Sequence, residues 1–279
     1  MTNSYSLYRI ENPESSTFPA YDYSWFKFGD LDIAEKFAVQ LFSGFIDLYG
    51  PTLLLQDEII IFPSPYFAIP TASNFLCHFF KNELNKFLYS NSRNACKESK
   101  ILRNQTYVQD YGALDFTERL ELISNDTYYI DKTSIDHKFC IFVDDIKITG
   151  SHELTVKKIL EGSEALGEFH FIYFAELVNK NVHPNIENHY NYFAVKGTEE
   201  IITLINNRCF HFNTRIVKYI LALGQDQFLC VLESISAGKC KELFDLAISN
   251  NYHNIKEYKS SIDLLYRINE FIKQEQTLS

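Results

Sequence analysis

The first two thirds of the chain alternates short, wholly apolar runs with longer amphipathic stretches. The apolar runs lie at residues 59–62, 139–143 and 171–174, the last within FHFIYFAEL, and runs of this kind are typical of strands covered on both faces. Between them, apolar residues recur at helical spacing, as in residues 31–50, where Gly50 and Pro51 are expected to end the helix. The pattern predicts an α/β fold with a mostly parallel, twisted sheet flanked by helices.

Beyond about residue 199 the pattern changes, and the remaining apolar positions all repeat at helical spacing. This change predicts an α/β domain at residues 1–197 and a helical C-terminal region at residues 198–279. Residues 97–131 are polar and mixed, with a short helical pattern near FTERLELI. We expect this segment to be an excursion between two strands of the sheet.

Composition narrows the class of protein. The 279 residues are 46% hydrophobic, enough for one large core, and the net charge of -10 argues against a nucleic-acid partner. No uninterrupted apolar run reaches the roughly 18 residues that cross a bilayer, and the N-terminus lacks the pattern of a secretion signal. We therefore expect a cytoplasmic protein with no membrane partner. The six cysteines form no C-x-x-C pair, which favours buried free thiols.

The candidate chemistry is concentrated in FCIFVDDIKITGSHE, residues 139–153. Asp144 and Asp145 follow an apolar strand, and ligands of parallel sheets bind where strands end. Two adjacent carboxylates repel each other, so a cation, hydroxyl donors or open water must offset them. Thr149, Gly150 and Ser151 then lie where a loop enters a helix, so that their N–H groups can converge on an anion. Together these features predict a site for a ribose 5-phosphate group.

The apolar strand, the two acidic residues, the three-residue spacer and Thr-Gly closely resemble the phosphoribosyl pyrophosphate (PRPP) signature of type I phosphoribosyltransferases. The resemblance covers residues 139–151 and implies the Rossmann-like fold of that family. It assigns Asp144 and Asp145 to the ribose hydroxyls as the catalytic pair, which would hold Mg²⁺ only indirectly, through those hydroxyls or water. It implies a 5-phosphate loop of Ile148, Thr149, Gly150, Ser151 and His152, where His152 replaces the family's usual hydroxyl residue.

The same resemblance implies two further parts of the site. The loop after the strand at residues 59–62 would bind pyrophosphate, although it lacks the family's usual glycine or basic residue. A hood at residues 97–131 would bring Lys100 and Arg103 over the pyrophosphate. In addition, YSWFKFGD and FNTRIVKYIL resemble phosphoribosyltransferase-like proteins of bacterial tellurite-resistance and stress operons. Lys27 there is interpreted as a snorkelling surface lysine beside an aromatic cluster, with contact to a phosphate as the alternative. The candidate pyrophosphate-loop residues are Ser64, Pro65, Tyr66, Phe67 and Ala68.

These features predict a magnesium-dependent phosphoribosyltransferase, a glycosyltransferase of nucleotide metabolism. It would move the 5-phosphoribosyl group of PRPP to a base or related small-molecule acceptor, release pyrophosphate, and form a homodimer as the family often does. One alternative is a non-catalytic PRPP or nucleotide sensor on the same fold. Another is an interaction protein that acts through its C-terminal helices. A dehalogenase-type phosphatase is disfavoured, because that class uses Asp-x-Asp and this chain has adjacent aspartates.

Overall fold

A five-stranded, all-parallel sheet lies at the centre of the protein, whose computed structural model describes residues 2–14, 16–103 and 128–278. The predicted α/β fold is thereby confirmed. The strand order is β1-β7-β6-β2-β3, so the strand that carries the acidic pair is central. The strands are β1 (Thr2–Ile10), β2 (Ile59–Pro63), β3 (Lys97–Glu98), β6 (Lys138–Lys147) and β7 (Gly167–Leu177).

Strand β1 was not among the elements that the apolar runs predicted. Its sequence, TNSYSLYRI, mixes polar and apolar residues. Such a mixture is typical of an edge strand, and β1 lies at the edge of the sheet, next to β7 alone. An edge strand is only partly covered, and its residues are mostly half-buried or exposed. The run of apolar residues that marks a central strand is therefore absent.

Both faces of the sheet are buried, as the wholly apolar runs predicted. Successive side chains of a strand point to opposite faces. Accordingly, Ile141 and Val143 of β6 lie in one core with the helices α2 (Leu31–Leu54) and α3 (Ala72–Ser90). Cys140 and Phe142 lie in another core with α4 (Ser151–Gly162). Side chains on the two faces of β6 therefore have different neighbours.

Helix α2 begins where the sequence predicts but ends later. The side chain of Asp30 accepts a hydrogen bond from the backbone N–H of Ile33, 3.0 Å away, and so caps the helix. The predicted stop at Gly50 and Pro51 is wrong, because α2 runs on to Leu54, with Leu53 buried in the core. By length and composition α2 could cross a membrane, and its buried residues pack in the core beside the sheet.

The C-terminal region is helical, as predicted, and has a core of its own. That core also contains Phe28 and Ile69, which belong to the α/β part of the chain. The boundary at residue 197 stays a prediction. The remaining helices are α1 (Ala20–Lys27), α5 (Ile186–Asn191), α6 (Thr198–Ile205), α7 (Thr214–Leu221), α8 (Gln225–Ser234), α9 (Ala237–Ser249) and α10 (Lys256–Leu278), of which α1 and α5 contribute to the core beside the sheet.

The base of the predicted hood is a small antiparallel ribbon of two strands, β4 (Leu102–Arg103) and β5 (Tyr128–Tyr129). Leu102 pairs with Tyr129, and Arg103 pairs with Tyr128. Residues 104–127, which include the predicted helical piece, lie outside the described residues.

Candidate functional site

Strand β6 continues through the acidic pair instead of ending before it. The sequence predicted a strand over residues 139–143, but β6 reaches Lys147, because its pairing with β7 continues from Asp144 opposite Tyr173 to Lys147 opposite Glu176. Since side chains alternate along a strand, Asp144 and Asp145 point to opposite faces of the sheet. The two carboxylates therefore have different surroundings.

Asp144 faces α4 and the loop after β2. Its Oδ1 accepts hydrogen bonds from the Ser64 hydroxyl at 2.8 Å and from the backbone N–H of Asp145 at 2.9 Å. Its Oδ2 lies 3.0 Å from Nδ1 of His152. Burial alone would raise the pKa of Asp144, but His152 and Ser64 outweigh burial and hold that pKa well below its usual range. Asp144 is therefore ionised, and protein groups satisfy both of its oxygens.

Asp145 faces α1, and only 5% of the residue is exposed. Its Oδ2 accepts a hydrogen bond from the Tyr23 hydroxyl at 2.8 Å and forms an ion pair with Lys27. Burial, reinforced by the charge of Asp144, raises the pKa of Asp145 against the opposing effect of Lys27. The cation and the hydroxyl donors that two adjacent carboxylates require are thus supplied by the protein itself.

Lys27 is a site residue that the sequence reasoning missed. It was interpreted as a surface lysine, yet its side chain is only 12% exposed and its ammonium lies 5.6 Å from the centre of the Tyr23 ring. One signal could have found it, because Tyr23 and Lys27 are four residues apart and so share a helix face. The sequence alone, however, does not show that this face meets Asp145.

The predicted 5-phosphate loop has the shape of a tight entry into α4. Gly150 has φ 75°, a left-handed conformation that favours glycine, and α4 begins at the next residue. The hydroxyls of Thr149 and Ser151 are 3.0 Å apart, while the Ile148 side chain packs against the core. Thr149 is half-buried and Ser151 is only 2% exposed, so the loop offers the Thr149 hydroxyl beside the backbone N–H groups of the first helical turn.

An ion network holds this loop from both sides. Nζ of Lys147, just before the loop, lies 2.9 Å from Glu153 in α4 and 3.1 Å from Glu176 in β7. Glu153 also pairs with Lys157 and accepts a hydrogen bond from the Tyr173 hydroxyl at 2.9 Å. Burial would raise the pKa of Glu153, but Lys157 and Lys147 outweigh it and lower that pKa. The start and the end of the loop are therefore fastened to one charged cluster.

The loop after β2, the candidate pyrophosphate loop, is held by distant parts of the chain. The Oδ1 atom of Asn250, which follows α9, accepts hydrogen bonds from the backbone N–H groups of Ala68 at 3.0 Å and Ile69 at 3.2 Å. The Asn74 amide donates to the Ser64 carbonyl at 2.8 Å. The N–H of Ala68 therefore already donates to Asn250. The polar group of this loop that contacts the acidic pair is the Ser64 hydroxyl, which donates to Asp144. Pro65 is buried, Tyr66 is half-buried and Phe67 is 40% exposed.

The family of the chain follows from comparison with known proteins. A family model described as PRTase ComF-like matches residues 1–265. This chain belongs to that family of phosphoribosyltransferase-like proteins. The match confirms the resemblance seen in residues 139–151, and it covers most of the C-terminal helices as well as the sheet. No curated protein matches the chain.

Two residues in the described part of the hood of this ComF-like chain, Lys100 and Tyr128, lie near residues of the candidate site. The ammonium of Lys100 lies 6.0 Å from the centre of the Tyr66 ring, in the candidate pyrophosphate loop. The ring of Tyr128, in the ribbon at the base of the hood, lies 6.0 Å from the ring of His152. Arg103 pairs with Tyr128 through its backbone. A cleft of about 330 Å³ lies alongside, lined in part by Pro63, Tyr66, Asn74 and Phe75.

The acidic pair of this ComF-like chain does not fit a directly bound magnesium ion. Asp145 already pairs with an ammonium, which would repel a second cation on the same carboxylate. Asp144 already accepts from Ser64 and contacts His152. Within the described residues, no cluster of three or more histidine, cysteine, aspartate or glutamate side chains is placed to hold a metal.

Proposed function

We propose that this chain binds PRPP and transfers its phosphoribosyl group to a small-molecule acceptor. The observation that carries the proposal is the 2.8 Å hydrogen bond from Ser64 to Asp144. It joins the loop after β2 to the strand that leads into the 5-phosphate loop, at the edge of a parallel sheet where ligands bind. The membership of the whole chain in a phosphoribosyltransferase-like family supports the same function.

The parts of the site suit different groups of this ligand. The Thr149 hydroxyl, which lies 3.0 Å from that of Ser151, and the start of α4 suit the 5-phosphate. Asp144 and Asp145 suit the ribose hydroxyls, and Ser64 lies towards the pyrophosphate. Magnesium is proposed to enter as part of a Mg–PRPP complex. In the transfer, the bond from C1 to the pyrophosphate oxygen breaks, the acceptor forms a bond to C1, and the acceptor's proton passes to solvent.

A second candidate function is a PRPP or nucleotide sensor without turnover. It is favoured by the contact between His152 and Asp144 and by the ion pair between Lys27 and Asp145. Both carboxylates have internal partners, which a sugar diol would have to displace or share. Such a site could bind a phosphoribosyl ligand through the 5-phosphate loop without the geometry needed for transfer.

Calorimetric titration with PRPP in the presence of Mg²⁺ tests binding. We expect saturable heat from the wild type, and a loss of about tenfold or more in affinity for Asp144→Asn, because a charge-assisted hydrogen bond to the ligand is removed. Asp57→Asn is the matched control, since Asp57 lies just before β2, at the opposite edge of the sheet, and is exposed. An absence of binding, or equal affinity in Asp144→Asn, would overturn the proposal.

Release of pyrophosphate from PRPP separates the two candidates. A panel of purine, pyrimidine and pyridine bases is supplied to the wild type, and pyrophosphate is measured with a coupled assay. The transferase predicts release with at least one acceptor and a slower rate in Asp144→Asn. Binding of PRPP without release from any member of the panel favours the sensor.

A further inference from the structure

The strongest unexplained feature of the site is the lysine built into its acidic pair. Lys27 is the last residue of α1, and its ammonium pairs with the carboxylate of Asp145, whose side chain is only 7% exposed. The Tyr23 hydroxyl donates to the same carboxylate oxygen, and the Tyr23 ring lies beneath the ammonium. Both side chains of this ion pair are buried, so water screens their charges less than it screens the exposed ion pairs on the surface.

The backbone keeps Lys27 in place. Its carbonyl accepts a hydrogen bond from the amide of Asn213, 3.1 Å away, and Asn213 is fully buried at the start of α7. Two residues later, the Gly29 carbonyl accepts from the N–H of His211 at 3.0 Å. Gly29 has φ 110°, and a side chain there would lie 2.2 Å from the His211 carbonyl. These hydrogen bonds hold the end of α1 against the C-terminal region, and they thereby keep Lys27 beside the acidic pair.

The charged groups beside the acidic pair oppose the binding of a divalent cation there. Asp144 and Asp145 carry two negative charges, and Lys27 supplies a positive charge at hydrogen-bonding distance from one of them. His152 takes up an oxygen of the other. A divalent cation on Asp145 would have to displace the ammonium, and a cation nearby would be repelled by it.

We propose that Lys27 is the resident cation of the acidic pair, so that no divalent cation binds Asp144 or Asp145. This inference rests on the proposed function in one respect: it implies that a ribose 5-phosphate group binds the site equally well with and without Mg²⁺. Lys27 thereby acts as a positioning residue, which holds Asp145 ionised and oriented for the ribose hydroxyls.

The first test uses magnesium alone and needs no sugar ligand. Thermal unfolding is compared with and without Mg²⁺ for the wild type, Lys27→Met and the control Lys36→Met, whose ion pair with Asp22 is on the surface. We expect Mg²⁺ to raise the melting temperature of Lys27→Met more than that of the wild type and the control, because the variant frees the carboxylates. A saturable shift of the wild type that Asp145→Asn removes would overturn the inference. That arm needs no folded Lys27→Met.

The second test uses ribose 5-phosphate, which lacks the pyrophosphate that would itself carry magnesium. Its affinity is measured by calorimetry in EDTA and in excess Mg²⁺. We expect the wild-type affinities to agree within about twofold, and Lys27→Met to bind about tenfold more weakly in EDTA and to recover with Mg²⁺. Wild-type binding that EDTA abolishes overturns the inference. If the wild type binds ribose 5-phosphate in neither condition, the proposed function fails, and the magnesium-only test still decides the role of Lys27.

Discussion

The two loops that flank the candidate site are held in opposite ways. The loop after β6 is fastened by its own neighbours, since Lys147 and Glu153 lie just before and just after it in the chain. The loop after β2 is fastened by Asn250, more than 180 residues away in the sequence. A locally held loop leaves a motif in the sequence, whereas a loop held from a distance does not.

The same contrast separates the two aspartates. Asp144 contacts Ser64 and His152, both of which lie in the predicted loops. Asp145 contacts Tyr23 and Lys27 of α1, which belong to the stretch YSWFKFGD and lie outside the PRPP signature at residues 139–151. The carboxylates are adjacent in sequence, but the alternation of β6 gives one a local environment and the other a distant one.

The largest expected effect on stability comes from removing the side chain of Asn250, which holds the loop after β2. Asn250→Ala leaves the N–H groups of Ala68 and Ile69 without their acceptor in a buried setting. We expect a loss of about 3 kcal/mol in the free energy of unfolding, measured by urea denaturation. Asn82→Ala, an exposed position on α3, should change it by less than about 0.5 kcal/mol. An effect of Asn250→Ala no larger than that of the control would contradict this account.

Removing the local support of the β6 loop should have a smaller effect. Lys147→Met deprives Glu153 of one cation, but Lys157 and Tyr173 still hold that carboxylate. We expect a loss of about 2 kcal/mol in the free energy of unfolding. Lys86→Met removes an exposed ion pair with Glu83 and should leave the free energy of unfolding nearly unchanged. Equal losses for the two lysines would show that the network does not hold the loop.

The turn within the β6 loop can be tested with a pair of glycines. Gly150→Ala places a side chain at φ 75° and should cost about 1 kcal/mol of unfolding free energy. Gly162→Ala, at the end of α4 with open space around it, should leave stability unchanged or raise it slightly. Gly150→Ala should also weaken the binding of ribose 5-phosphate. If both variants are equally stable, the left-handed turn is not required.

The smallest expected effect is the pH dependence of stability that comes from Asp144, which contacts both loops. Because the pKa of Asp144 is lower in the folded protein than in the unfolded chain, its contribution to stability is present above about pH 4. That contribution is lost as the pH falls towards the folded pKa. Between pH 5 and 3.5 the wild type should lose about 0.7 kcal/mol more stability than Asp144→Asn. Identical slopes for the wild type and Asp144→Asn in the same denaturation series would refute the coupling.

The sequence predicted those parts of the site whose contacts are short-range. The apolar run of β6, the adjacent aspartates and the Thr-Gly turn into α4 are contiguous, so their pattern could be interpreted without a fold. The extent of β6 could not be predicted, because its last residues are polar and their pairing with β7 decides whether they stay extended. The end of α2 was missed for a similar reason, since tertiary packing carries the helix past Pro51.

What the sequence determined by itself is the α/β class, the central strand and the acidic pair followed by a tight turn into a helix, because hydrophobic periodicity and local backbone chemistry depend on neighbouring residues. Only the tertiary structure decided what those carboxylates meet. It placed Lys27 and Tyr23 on Asp145, held the end of α1 against Asn213, and tied the β2 loop to Asn250. Each of these contacts joins residues more than 100 positions apart, and side-chain packing, unlike periodicity, leaves no local pattern that identifies its partner.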